Sequence, residues 1–349
     1  MTILRHFHTA TVANTTGMRT ELDIPSANGR SDAVLFALTF AGPQSWQKEP
    51  EAIVVLNPNQ IGVQYIRSRQ RWHIVNLNGA PIPIGARFHV TYVINDDTMA
   101  FVHRTRPSNV SGDFTFIPEI ADRTKTLDLR GIEVLLQVTP QVAPIDSITD
   151  HDVWWSMPGV SFPRLPTDSF DFDSLDPRLA AAVTRTNLGA QNHPIGVWYN
   201  ERLRTWTIAN LDAAPMNYGL RYNVFITNAH GSGTDHRGIC VSGGLEGSSQ
   251  TFCLTPCDAF GTAFAVTVNM SYPYFRGAGY QVGSCSLLEL APRRCRSPLA
   301  AGVHRKLFRN PNAPLGKPTS YIENTFILYQ DMMAIPAGVG FNVYHSSTQ

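Results

Sequence analysis

Residues Ile61–Val90 read IGVQYIRSRQRWHIVNLNGAPIPIGARFHV, and residues Ile195–Val224 read IGVWYNERLRTWTIANLDAAPMNYGLRYNV. The two stretches align without a gap, 134 positions apart, and agree at thirteen of thirty positions. The shared residues include Gly62/Gly196, Trp72/Trp206, Asn76/Asn210 and Gly85/Gly219. An internal repeat organises the whole reading, because it makes the fold a multiple of one unit. Within each copy the apolar residues alternate: Ile61, Val63 and Tyr65, then Trp72 and Ile74, then Phe88, Val90 and Tyr92. Period 2 places one face of each strand in a core. Asn78-Gly79 marks a tight turn, and the glycine before each last strand suits a sharp backbone reversal.

The repeat extends outward from this hairpin. Ile327–Val343 carries a divergent third copy, in which Gly338 matches Gly85 and Phe341-Asn342-Val343 match Phe88-His89-Val90. Pro314-Leu315-Gly316 reads as its counterpart of Pro194-Ile195-Gly196. Upstream, His8–Leu22 aligns with His103–Ile117, 95 positions apart, pairing Asn14 with Asn109, Gly17 with Gly112 and Thr20 with Thr115. A central apolar strand follows, Val34–Thr39 aligned with Val134–Thr139, with Phe264–Thr267 as its third version. No third front end is evident in the sequence.

These patterns predict an all-β chain of three tandem antiparallel β-sandwich-like modules. The boundaries fall at residues 1–96, 97–228 with a long insertion at 140–195, and 229–349, a divergent module containing the cysteines. Short helices are expected in the insertions of modules 2 and 3, at Asp176–Gly189 and more weakly at Ser297–Gly302. Between the central strand and the hairpin glycine the insertions grow from 22 residues to 56 and 48. Such unequal additions belong on surface loops, where recognition concentrates.

The pattern G-V-x-Y … W-x-I-x-N-x-[DN] … P … G-x-x-[FY]-[NH]-V resembles an uncharacterised β-domain that occurs in tandem in bacterial, mostly exported, proteins. The resemblance implies a surface or extracellular module and carries no catalytic residues with it. Composition agrees with a folded chain: 43% hydrophobic, 16% charged, formal net charge +1. The charge is too small for a global attraction to nucleic acid or anionic lipid. No apolar run reaches the ~18–20 residues needed to cross a bilayer. The N-terminal residues contain no cleavable signal pattern: either the signal has been removed, export uses another route, or the protein stays inside.

Catalytic signatures are missing: there is no G-x-S-x-G, H-E-x-x-H, P-loop or G-x-G-x-x-G. His6/His8 and His230/His236 are loose pairs, and the acidic run Thr167–Asp176 lacks the glycine and final Glu of a calcium loop. No metal, cofactor or catalytic residue is expected. Asn76 and Asn210 read as buried amides that pin the adjacent turn, or as ligand hydrogen-bonders. All five cysteines, Cys240, Cys253, Cys257, Cys285 and Cys295, lie in module 3 and are disulfide candidates. Trp198 stands on the strand face opposite Val197, where module 1 has Gln64. It either packs beneath the long insertion or contacts a ligand, together with Trp154 and Trp155. Tyr272 and Tyr274 are the corresponding candidates in module 3.

The function expected is therefore non-enzymatic: a surface or extracellular assembly protein, interacting through divergent loops with protein partners or itself. A glycan-binding adhesin and a membrane-active toxin are the alternatives.

Overall fold

A computed structural model describes residues 3–40, 55–94, 100–123, 134–145, 193–200, 205–212, 214–228, 235–241, 249–252, 263–269, 298–307, 321–329 and 340–346. The first group of strands is β1 (Ile3–Thr9), β2 (Thr15–Thr16), β3 (Arg19–Glu21), β4 (Val34–Phe40), β5 (Ile61–Ile66), β6 (Arg71–Asn76) and β7 (Arg87–Val93). The second is β8 (Ala100–Arg104), β9 (Val110–Ser111), β10 (Phe114–Phe116), β11 (Val134–Ile145), β12 (Ile195–Asn200), β13 (Thr205–Asn210) and β14 (Arg221–Asn228). The third is β15 (Asp235–Val241), β16 (Ser249–Phe252), β17 (Ala263–Asn269), β18 (Pro298–Leu307), β19 (Tyr321–Tyr329) and β20 (Gly340–Ser346). Among the described residues the helix is α1 (Pro118–Arg123), opened by a proline and by Glu119 in its first turn. The chain is all-β, as its periodicity required.

The strands form three sheets, ordered β1-β7-β4-β18-β19-β16, β2-β3-β6-β5-β11-β14-β8 and β15-β20-β17-β12-β13-β10-β9. Every sheet combines strands from two of the three groups. The join is parallel each time: β5 beside β11, β12 beside β17, and β18 beside β4. All other pairings between named strands are antiparallel. Register follows the sequence repeat. Ile61 faces Asn76 in β5–β6, and Ile195 faces Asn210 in β12–β13. His8 faces Phe88 in β1–β7, and His103 faces Tyr222 in β8–β14. Gly85 and Gly219 adopt φ of +92° and +80°, the region in which a Cβ is strained.

The alternating residues fill two equivalent cores. One holds Val63, Tyr65, Trp72, Ile74, Phe88 and Val90. The other holds Val197, Trp206, Ile208, Tyr222, Val224 and Ile226. Burying a large side chain of this kind contributes about 1.5–3 kcal/mol.

Three details of the sequence reading change. The central strands do not align residue for residue as read. Val34 faces Val93, whereas the residue facing Thr227, the repeat partner of Val93, is Leu135. The true offset is one residue longer, which exchanges the two faces of the strand. The stretch at Ser297–Gly302 is not a helix, because Pro298–Leu307 is strand β18. Its alanines have good helix propensity, but parallel pairing with β4 and antiparallel pairing with β19 outweigh it. Proline is tolerated at the first residue of such a strand. β18, rather than Pro314-Leu315-Gly316, therefore takes the place of β5 in the third hairpin. Finally, β15 supplies the front strand that the sequence did not reveal: Gly238 faces Val343 as His6 faces Val90. The predicted helix at Asp176–Gly189 lies outside the described residues.

The repeated glycine of the G-V-x-Y motif has a spatial cause. A Cβ on Gly62 would stand 2.8 Å from Leu77 Cδ2 and 2.8 Å from the Pro140 carbonyl oxygen in the neighbouring strand β11. Gly62→Ala is thus expected to destabilise the chain by about 1–3 kcal/mol through overpacking. Urea unfolding followed by tryptophan fluorescence reads this as a lower midpoint. Gly17→Ala is the control with open space around the added carbon, where only the backbone φ of +54° is unfavourable.

Candidate functional site

The polar side chains that recur with the fold form one cluster in each of the first two strand groups. In the first, Thr11 N donates to Asn14 Oδ1 at 2.7 Å, and Asn14 Nδ2 donates to the Thr9 carbonyl at 3.0 Å. Thr20 Oγ1 donates to Asn14 Oδ1 at 3.2 Å and bonds His8 Nε2 at 2.6 Å. In the second, Arg106 N donates to Asn109 Oδ1 at 2.7 Å, and Asn109 Nδ2 to the Arg104 carbonyl at 2.9 Å. Thr115 Oγ1 donates to Asn109 Oδ1 at 3.2 Å and bonds His103 Nε2 at 2.9 Å. Both asparagines lie in Asn-x-Ser/Thr triplets, but their amides are committed to closing a turn.

The second cluster has one extra member. His103 Nδ1 lies 3.0 Å from Glu119 Oε2 at the start of α1. Burial pushes the Glu119 carboxyl up, but the hydrogen bond and charge of His103 outweigh it, so the carboxyl sits below its ordinary value. Hydroxyl, imidazole and carboxylate are thereby connected in the order of a nucleophilic triad. Access decides against that chemistry for this hydroxyl. Thr115 and His103 are each 0% exposed, and the hydroxyl proton is held by Asn109. The first cluster also keeps the same His–Thr–Asn bonds with Ile24 at the place of Glu119. The arrangement serves the turn with or without an acid.

The other sequence candidates fall as follows. Asn76 Nδ2 donates to the Ala80 and Pro81 carbonyls at 2.9 and 3.2 Å. Asn210 Nδ2 does the same to Ala214 and Pro215 at 2.8 and 3.4 Å. Both asparagines are buried. Trp72 donates from Nε1 to the Arg30 carbonyl at 2.9 Å, and Trp206 occupies the equivalent core position. Gly196 lies in β12 opposite Ala209 and Val268. Trp198 is only 3% exposed, edge-on to Phe114 with ring centroids 5.2 Å apart. Its counterpart Gln64 is not on a solvent face either: it is fully buried and accepts from Arg19 Nε at 3.2 Å. The same strand face is therefore covered in both groups, aromatic in one and polar in the other. Cys240 lies in β15 opposite Phe341. Trp154, Trp155, Tyr272, Tyr274, Gly338, Cys253, Cys257, Cys285 and Cys295 lie outside the described residues.

A further pair was not read from sequence. His193 Nδ1 and Asp212 Oδ2 are 2.7 Å apart, where the first group has Asn78 Nδ2 donating to Asn59 Oδ1 at 2.8 Å. An amide pair and an ion pair thus hold equivalent turns. Gln60 Nε2 then donates to the His193 carbonyl at 2.9 Å, linking the two turns. No group of three metal-ligating side chains occurs among the described residues. No helix among them is long and apolar enough to cross a membrane.

A family described as a domain of unknown function (DUF7452) matches residues 62–155. The matched stretch runs from β5 past β11, so it spans residue 96, where the sequence repeat suggests a boundary, and includes both strands of a parallel join. No curated protein matches the chain, and no solved structure does.

Titration isolates the first cluster. Burial, with a smaller contribution from His6, lowers the His8 pKa to about 4 from the usual 6.5. The unfolded chain then binds a proton that the folded chain refuses, so His8 contributes a stability loss as pH falls from about 6.5 to about 4. Relative to wild type, His8→Gln is expected to be less stable at pH 8. It should regain ground on acidification, by an amount on the order of 3 kcal/mol at full effect. Denaturant midpoints across this pH range read the crossover, and parallel curves would refute it.

Proposed function

We propose that this chain is a non-enzymatic interaction protein, exported or surface-located, whose three related β-sandwich modules close into a ring. The modules are residues 1–96, 97–228 and 229–349. Its unequal inserted segments are the parts that engage partners, either other proteins or further copies of the chain. One observation carries the reading. The three parallel joins share a single register, Val63 beside Gln141, Val197 beside Asn269 and Ala301 beside Phe40. Val63 and Val197 are repeat equivalents, and Ala301 pairs with Ile327 as Val63 pairs with Ile74. Each module thereby extends a sheet of the next, and the third returns to the first. Such an arrangement spends the repeat's polar residues on holding shape, which leaves recognition to the segments that differ.

The resemblance to exported tandem β-domains supports the surface location, and the 16% charged composition suits protein contacts over nucleic acid. Trp198, being covered, argues against a sugar stacked on that ring.

Size-exclusion chromatography with negative-stain microscopy tests this proposal. The expected result is concentration-dependent growth into regular particles. A strict monomer at high concentration that binds a glycan array would overturn the assembly reading in favour of the adhesin.

A further inference from the structure

In the sheet ordered β2-β3-β6-β5-β11-β14-β8 two arginines stand directly opposite each other: Arg104 of β8 faces Arg221 of β14. Arg221 in turn faces Gln141 of β11. Facing residues in an antiparallel pair share one side of the sheet, and like charges placed so are destabilising. Nothing in the scaffold calls for them. The equivalent row in the first group is Thr9 facing Arg87, with Phe40 at the next strand's position. In the third group it is Val241, Gly340 and Asn269. Only the second row holds two guanidinium groups.

The polar groups of that row are also unsatisfied. Arg221 Nε and Gln141 Oε1 are both buried without a hydrogen-bond partner, and Gln141 is 2% exposed. Among the described residues no carboxylate pairs with Arg104 or Arg221. Burial first, then the charges of Arg104 and Arg67, bring Arg221 down to about 10. A buried donor left unpaired costs about 1–3 kcal/mol in general, more when it is charged. Such a cost is recovered when an anion arrives.

We propose that Arg104 and Arg221, with Gln141 beside them, form a binding site for a single phosphate-type oxyanion. The planar guanidinium groups offer paired N–H donors that match two oxygens of a tetrahedral anion. Gln141 Oε1 accepts from the hydroxyl that inorganic phosphate retains at neutral pH. Sulfate has no such proton, so phosphate is the better fit. The proposal is independent of whether the chain assembles.

The test uses the full chain, inorganic phosphate as the probe, and sulfate and chloride at matched ionic strength. Isothermal titration should show saturable phosphate binding, weaker sulfate binding and none for chloride. Thermal unfolding should show a midpoint that rises with phosphate and then levels off. Both anions stabilise proteins generally by exclusion from the surface, so the variants decide. Arg221→Gln should raise the midpoint without phosphate, by removing the facing like charge, and should abolish saturable binding. Arg104→Gln, which removes the other of the two facing charges, should abolish binding as well. Saturable binding that persists undiminished in Arg104→Gln overturns the site. So does an identical response to chloride, or an Arg221→Gln protein that unfolds earlier than wild type yet still binds phosphate.

Discussion

Parallel pairing between strands from different parts of the chain is the constraint on which this structure depends. A parallel join cannot be made by a tight hairpin; it needs a crossover of a dozen or more residues. The chain meets that need with the segments that separate its repeated strands. At the β5–β11 join the backbones approach closely, and Gly62 shows the consequence. Any side chain there would collide with the Pro140 carbonyl of the adjoining strand. The glycine at Gly62 is therefore a contact residue, pressed by Leu77 of its own hairpin and by the adjoining strand β11.

Once the sheets share strands, interior strands of neighbouring sheets meet, and polar side chains hold them. Asn223 Nδ2 donates to the Leu35 carbonyl at 2.8 Å, and Asn342 Nδ2 to the Leu136 carbonyl at 3.0 Å. These are equivalent bonds between successive strand groups. Gln137 donates to the Asn342 carbonyl at 3.0 Å and accepts from Thr267 at 2.9 Å, while Thr267 also receives Val138 N at 3.1 Å. Buried polar groups are tolerated only when paired. This network specifies which strands of neighbouring sheets meet, where an apolar seam would permit sliding. It also accounts for a chain rich in Asn, Gln and Thr at strand positions yet low in charge.

The same reasoning separates scaffold from function. The His–Thr–Asn clusters have the atoms of catalysis, but their hydroxyls are sealed and already bonded. The arginine pair at Arg104 and Arg221 is the reverse case, with charge placed where the scaffold gains nothing from it. Residues that recur in the repeat explain the shape, and of those that break it Trp198 is packed and His193–Asp212 holds a turn, which sets the facing arginines apart.

The sequence by itself determined the hairpin strands of the first two copies, their inward faces and their registers. Period-2 alternation and a gapless repeat encode these locally, as Val63, Trp72, Ile74 and their equivalents 134 positions on demonstrate. It also determined the turn role open to Asn14 and Asn109, because side-chain-to-backbone bonds span only a few residues. Tertiary structure alone decided what depends on distant partners. The central strand's face was set by its neighbours' register, because a strand buried on both sides has no alternation in its sequence to mark which face is which. β18 became a strand against its helical composition because β4 and β19 offered it hydrogen bonds. Trp198 and Gln64 looked like solvent positions by alternation, yet both are covered, since a sheet flanked on each side has no outer face for period 2 to mark.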